Sequence, residues 1–234
     1  LKESSVKKLG SGIRFKSKDS VVLKGVTIKV PHVLEPLCKD LNLHVEQGKS
    51  LFVKGPNGSG KTTLFRVIRG IWEPECGQVG MPDENDCFFL LHKPYILPGL
   101  SLRDQICYPH VGQSGIKIDT RIAHALVKVE LFNSAEEILK DKVLDSDWLA
   151  NKDLSAGESQ RLACVRLLVR RPKFAFIDEG LSCCTENFEK TFLEYCINTL
   201  QTTCISISHR DVARYLHHET LYFNANGTTT LSPN

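Results

Sequence analysis

Nothing in these 234 residues runs apolar for the roughly 20 positions that a bilayer-crossing helix needs, and no signal-like apolar stretch opens the chain. As given, it reads as a soluble piece. Methionine is nearly missing: the single one is Met81, and the chain starts at Leu1, so a longer parent protein is expected. An excess of one charge sign is missing too. Thirty Lys and Arg against 27 Asp and Glu leave +3, scattered without a basic and aromatic stripe, so nucleic acid is not expected as a partner. The nine cysteines (Cys38, Cys76, Cys87, Cys107, Cys164, Cys183, Cys184, Cys196 and Cys204) are odd in number and hold no Cys-x-x-Cys pair, which speaks against zinc and dithiol frameworks. They read as small buried apolar residues in a reducing compartment. No internal repeat or low-complexity tract is present. With 41% hydrophobic and 24% charged residues, one globular domain with subdomains is the natural count.

What the chain does have is Gly55-Pro56-Asn57-Gly58-Ser59-Gly60-Lys61-Thr62, a full match to the G-x-x-x-x-G-K-[ST] phosphate-binding loop. Glycines let consecutive backbone N–H groups turn toward phosphate oxygens. Lys61 adds a point charge, and Thr62 offers a hydroxyl to Mg²⁺. Upstream, Ser50 to Val53 suits a buried parallel strand; downstream, Leu64, Phe65, Val67 and Ile68 have helical spacing and Gly70 suits a helix C-cap. The loop would then lie on a helix N-terminus, whose dipole favours phosphate.

Residues 1–19, rich in Lys, Ser and Gly, read as the tail of a linker. Short β-like runs follow at Val21–Leu23, Val26–Val30 and Leu41–Val45, which suggest a small antiparallel sheet. Beyond the loop helix, Phe88–Leu91 is an apolar strand ending at His92-Lys93-Pro94, a candidate edge of the site. Residues 100–152 change character: Leu102, Ile106, Ile122, Leu126, Val127, Leu131, Ile138 and Leu139 are spaced as in amphipathic helices, so an insertion between strands is expected.

Ser155 and Glu158 form an S-x-x-E capping box that starts a helix running to Arg170-Arg171 and stopped by Pro172. Phe174 to Ile177 reads as a central strand ending in Asp178-Glu179, on the C-terminal rim where parallel sheets bind ligands. A helix over Phe188–Leu200, a strand over Cys204–Ile207 closely followed by His209, and a closing hairpin around Asn226-Gly227 complete the chain.

In that order, the phosphate loop, Leu154-Ser155-Ala156-Gly157-Glu158, the Asp178-Glu179 strand end and His209 resemble an ATP-binding cassette (ABC) domain over nearly the whole chain. The resemblance implies an α/β P-loop NTPase of the ABC type: a mostly parallel sheet core, an antiparallel β subdomain, and an inserted α-helical subdomain at about 93–165, with 20–234 as the nucleotide-binding domain. It implies ATP and Mg²⁺ as ligands. Gly55, Pro56, Asn57, Gly58, Ser59, Gly60, Lys61, Thr62 and Thr63 would form the Walker A site. Thr62, Asp178 and His92 would lie at the metal. Glu179 would be the catalytic glutamate and His209 the switch histidine. Ser155, Ala156, Gly157 and Glu158 would be the signature that caps ATP held by a second cassette.

Gly55 to Phe65, Trp72, Ser101 to Gln105 with Tyr108-Pro109, and Arg171-Pro172-Lys173 resemble subfamily D, the peroxisomal and lysosomal half-transporters. That implies a preceding transmembrane domain in the same parent chain and a place on the cytosolic face of an organelle membrane, peroxisome or lysosome. The implied cargo is fatty acyl-CoA or cobalamin. Two rival readings stay open: a degenerate, regulatory cassette with little hydrolysis, and a soluble cassette ATPase without transport.

The match departs from the family in places. His92 stands where Gln is expected, which would weaken coupling or make it pH-sensitive. Ala156 replaces a Gly, and Glu158 replaces Gln while pointing back at its own helix. Thr185 stands near the position of a dimer-facing Asp. Pro31-His32 occupy the region where an adenine-stacking ring is expected.

Overall fold

The computed structural model describes residues 12–30, 33, 35–148, 150 and 153–234. The first element, β1 (Ile13–Lys16), lies inside the stretch read as linker; residues 1–11 of that stretch fall outside the described residues. Composition hid this strand, because its two apolar residues are surrounded by Lys and Ser. What admits it is a glycine: a Cβ at Gly80 would lie 2.4 Å from the Phe15 ring, so only a bare backbone lets that ring sit down.

Strands β2 (Ser20–Ile28) and β3 (Cys38–Glu46) pair antiparallel. The two runs read separately in 20–30 are one strand, interrupted by a register shift between Leu23 and Val26 where Gly25 takes φ 58°. Pro31 and His32 lie outside the described residues. Next come β4 (Leu51–Lys54) and α1 (Lys61–Arg69), the latter closed by Gly70 at φ 81° as expected of a left-handed C-cap. The Arg14 guanidinium from β1 reaches the carbonyls of Val67, Ile68 and Trp72, closing over the end of α1. Strands β5 (Cys76–Met81) and β6 (Cys87–Leu91) follow.

Helices α2 (Leu102–Cys107), α3 (Ile116–Lys128) and α4 (Ala135–Lys140) form the insertion. Arg103 clasps Asp119 at 2.8 Å and also pairs with Asp145, tying α2 to α3 and to the turn after α4. The chain then returns through α5 (Ala156–Arg170), β7 (Phe174–Asp178) and α6 (Glu186–Glu194), which passes into a π turn over Tyr195–Thr199. It ends with β8 (Thr203–Ile207) and the hairpin β9 (Glu219–Phe223) and β10 (Thr229–Pro233).

Two sheets result, ordered β1-β5-β2-β3 and β10-β9-β4-β8-β7-β6. The larger is parallel from β9 to β6, and β10 pairs antiparallel. Strand alternation divides the interior in two. On β7, Phe174 and Phe176 face the core shared with α1 and the smaller sheet, which is antiparallel except that β1 runs parallel to β5, whereas Ala175 and Ile177 face the core shared with α5 and the insertion. The same split puts Leu51 and Val53 on one side of β4 and Phe52 on the other. Phe176 packs edge-on against Phe65 at 5.8 Å and stacks on Phe89 at 4.6 Å. Burying such a ring is worth about 1.5–3 kcal/mol. This middle strand is therefore fixed from both faces, and its end, Asp178-Glu179, is delivered to a set place.

Candidate functional site

Four of the described α-helices, α2, α4, α5 and α6, have their first turns capped by a side chain: Ser101, Ser134, Ser155 and Thr185 each accept a backbone N–H there. Helix α3 starts from Gly115 without one but carries Asp119 in its first turn. Helix α1 has neither: its N-cap is Gly60 at φ 107°, without a side-chain acceptor and without an acidic residue in the first turn. Its orphan N–H groups are left for an anionic ligand.

The loop before it is drawn tight: a Cβ at Gly55 would lie 2.6 Å from the Phe223 carbonyl oxygen, while Gly58, at φ 76°, has open space around it. The Lys61 ammonium donates to the carbonyls of Gly55 at 2.9 Å and Pro56 at 2.8 Å. Burial lowers the Lys61 pKa, while the charges of Glu179 and Asp178 oppose that shift. Ser59 Oγ is buried without a hydrogen-bond partner, and Thr63 is buried on the next turn. A cation resting on its own loop and an orphaned hydroxyl are the marks of a cradle that suits phosphate oxygens.

At the rim, Thr62 Oγ1 donates to Asp178 Oδ1 at 3.1 Å. Burial raises the Asp178 pKa; the bond from Thr62 lowers it, and the Glu179 charge raises it further. Among the described residues no group of three His, Cys, Asp or Glu side chains could hold a metal alone. A hydroxyl beside a carboxylate does suit Mg²⁺, a hard cation that completes its shell with phosphate oxygens and water.

Glu179 follows with φ 51°, left-handed backbone that costs a non-glycine residue on the order of 1–3 kcal/mol. Its N–H donates to the Ile207 carbonyl at 3.1 Å, and its Oε1 lies 3.0 Å from His209 Nε2. The expected base and the expected switch histidine therefore meet. His92, expected at the metal, is brought to Glu179 and Ser182: its Nδ1 is 3.9 Å from Glu179 Oε2 and 3.1 Å from Ser182 Oγ.

The Ser155 and Glu158 capping box forms in both directions, with Glu158 Oε2 accepting from Ser155 N at 3.0 Å and Ser155 Oγ accepting from Glu158 N at 3.2 Å. At Gly157 a Cβ would lie 2.9 Å from the Cys183 carbonyl oxygen, so the signature turn presses on the turn after Glu179. Ala156 is exposed. Thr185 caps α6 through its hydroxyl, the service an aspartate gives at that position.

Other residues enter the site without having been read from the sequence. Arg210, next to His209, donates to the buried Glu189 carboxylate at 3.0 Å and to the Ser182 carbonyl at 3.0 Å. With them it borders a cavity of about 240 Å³ beside Glu179 and His209. Gln160 lies buried on α5 among His92, Glu179 and Ser182. The sequence signal for both was faint: a cation directly after a strand-end histidine, and an amide on the buried side of a helix.

The ABC transporter family model matches residues 38–182. An ABC transporter D family member 1 of Arabidopsis thaliana is 36% identical over 200 residues, covering 82% of this chain and 14% of that protein. The lysosomal cobalamin transporter of Homo sapiens is 37% identical over 205 residues, covering 84% of this chain and 33% of its own length. An uncharacterized ABC transporter ATP-binding protein of Synechocystis sp. is 36% identical over 214 residues, 92% of this chain and 31% of that protein. The chain thus spans a third or less of each of these relatives. The match across the phosphate loop, signature and carboxylate rim leaves one assignment: the chain belongs to the ABC transporter family, as an ATP-binding domain of the D-subfamily type.

Proposed function

We propose that this chain is the ATP-hydrolysing cassette of a half-transporter and that Glu179 and His209 perform the hydrolysis. The observation that carries this reading is the 3.0 Å contact between them at the rim, next to the Thr62 and Asp178 pair and within the electrostatic reach of Lys61. The loop amides from Gly55 to Lys61, with Ser59, would hold the triphosphate, and Thr62 and Asp178 would hold Mg²⁺. That ion, when bound, neutralises charge on the phosphate oxygens. Glu179 accepts a hydrogen bond from the attacking water and takes up its proton as the new P–O bond forms and the bond to ADP breaks. His209 keeps the Glu179 carboxylate turned toward that water.

Hydrolysis on this reading needs two cassettes, with Ser155 and the first amides of α5 capping the partner's ATP. A transmembrane domain of the same parent chain would be driven by their closure, from the cytosolic face of an organelle membrane. Among the described residues no helix is long and apolar enough to cross a membrane. The cargo on this reading is lipid-like or a cofactor, in the class of fatty acyl-CoA or cobalamin as the subfamily D resemblance implies; the human lysosomal cobalamin transporter among the relatives supports the cofactor end of that class. A second reading, a regulatory cassette with little turnover, is favoured by one observation: two imidazoles crowd the Glu179 carboxylate.

Glu179→Gln decides between them, since the amide keeps the size and cannot take a proton. It should bind Mg·ATP as wild type, lose turnover by about 10²-fold or more, and accumulate as a dimer on size exclusion with Mg·ATP. Undiminished turnover in this variant removes the base assignment. A wild type without measurable hydrolysis at any protein concentration establishes the regulatory reading instead.

A further inference from the structure

On the reading of Glu179 as the base, we propose that Gln160 is a positioning residue for hydrolysis, an amide that pins the Glu179 main chain to the signature helix. Gln160 lies in the second turn of α5 and is 1% exposed. Its Nε2 lies 3.0 Å from the His92 carbonyl oxygen, 3.3 Å from the Glu179 carbonyl oxygen and 3.3 Å from Ser182 Oγ; its Oε1 accepts from Cys183 N at 2.8 Å. Two carbonyls at one end and a backbone N–H at the other fix which way the amide points.

This side chain joins the end of β6, the end of β7 and the turn after β7 to one point on α5. Glu179 keeps its left-handed backbone with both sides held: its N–H by the sheet, through Ile207, and its carbonyl by Ser182 N at 3.2 Å within the turn and by Gln160 from α5. The next residue adds a wall, since a Cβ at Gly180 would lie 2.7 Å from Leu90 Cγ. Ser182, when it accepts from Gln160, turns its own proton to His92 Nδ1 and so sets that imidazole beside Glu179. Movement of the signature helix is thereby felt at the base through this amide as well as through the Gly157 turn packed on Cys183.

Gln160→Met keeps volume and removes both donors and the acceptor. Measured on the chain at saturating Mg·ATP, its kcat should fall about 10-fold or more, as base misplacement does, while KM and the affinity for a fluorescent ATP analogue stay within about 3-fold of wild type. Gln160→Glu provides a readout that packing alone would not move. As a carboxylate it faces two carbonyl oxygens and cannot donate; as a carboxylic acid it regains one donor. Its kcat relative to wild type should therefore rise as pH is lowered. Wild-type kcat in Gln160→Met, or a Gln160→Glu pH profile parallel to wild type, overturns the proposal. Should Gln160→Met lose its cooperative thermal transition, Gln160→Asn, which keeps the amide and shortens its reach, must show the kcat loss at unchanged affinity; wild-type kcat there overturns it equally. Glu179→Gln separates the two levels: retained turnover in that variant removes the base, whereas lost turnover there with normal kcat in the Gln160 variants removes only this role.

Discussion

At the scale of single residues, the Glu179 carboxylate lies between two histidines of different attachment. His209 reaches Oε1 at 3.0 Å from the end of β8, and His92 approaches Oε2 at 3.9 Å from the end of β6. An imidazole donor beside the carboxylate stabilises its charged form and makes it a weaker base. His92→Gln takes one ring away from Oε2 and leaves His209 in place. Its kcat at saturating Mg·ATP should therefore match or exceed that of wild type; a kcat lower by about 10-fold would show that His92 serves the site instead of crowding it. The sequence made the Glu179 and His209 pair legible because each ends an apolar strand, and parallel strand ends converge. For His92, expected at the metal, it left the contacts with Glu179 and Ser182 unread, because a strand end fixes where a residue starts and not which way its side chain turns. Ser182 decides that turn, and its partner across 90 positions is invisible to local spacing.

At the scale of elements, capping chemistry separates the two helix N-termini that the function needs. Helix α1 is left uncapped, but α5 is closed by its own Glu158. A carboxylate in the first turn is favourable for the helix alone, and it competes with any phosphate offered from a partner. Glu158→Gln keeps an acceptor for the capping box and removes the charge. In a Glu179→Gln background it should tighten the Mg·ATP-dependent dimer by about 2–5-fold, the worth of one charge at a helix end, as measured by sedimentation; equal or weaker dimerisation would mean that Glu158 moves aside freely. Such helix starts were readable, since Ser155 with Glu158 and the Gly-rich loop each leave a fixed-spacing mark. Strand β5 was not, its Gly77 and Gly80 diluting any alternation, and β1 depends on Phe15 settling over Gly80, a contact 65 positions away in sequence. The two runs of β2 looked like two strands because Gly25 breaks the period at the bulge.

At the scale of the whole molecule, stability and activity respond to acid through different groups. His217 is buried behind the larger sheet: Nδ1 donates to the Ala213 carbonyl, Nε2 accepts from Ser206 Oγ at 3.0 Å, and the ring packs on Phe52 with centroids 5.6 Å apart. Burial pushes its pKa down from 6.5 to about 4. A lowered folded pKa means that the unfolded chain binds the proton more tightly, so the stability His217 contributes is complete above the unfolded value and is lost as pH falls from about 6.5 toward 4. Asp178 works in the opposite sense. Its raised pKa makes the folded state the better proton acceptor, so acid relieves the cost of burying its charge. Between pH 7.5 and pH 5 the His217 contribution alone should remove about 2 kcal/mol, which for a chain of this size lowers Tm by about 4–8 °C. His217→Gln carries no titrating group at that place, so its Tm should depend less on pH than that of wild type by this amount, whatever its absolute stability. Thermal melts of both proteins at the two pH values check this, and equal pH slopes would show that acid acts elsewhere, at carboxylates held below their usual range by a cation, such as Asp145 beside Arg103 or Asp211 beside Lys54.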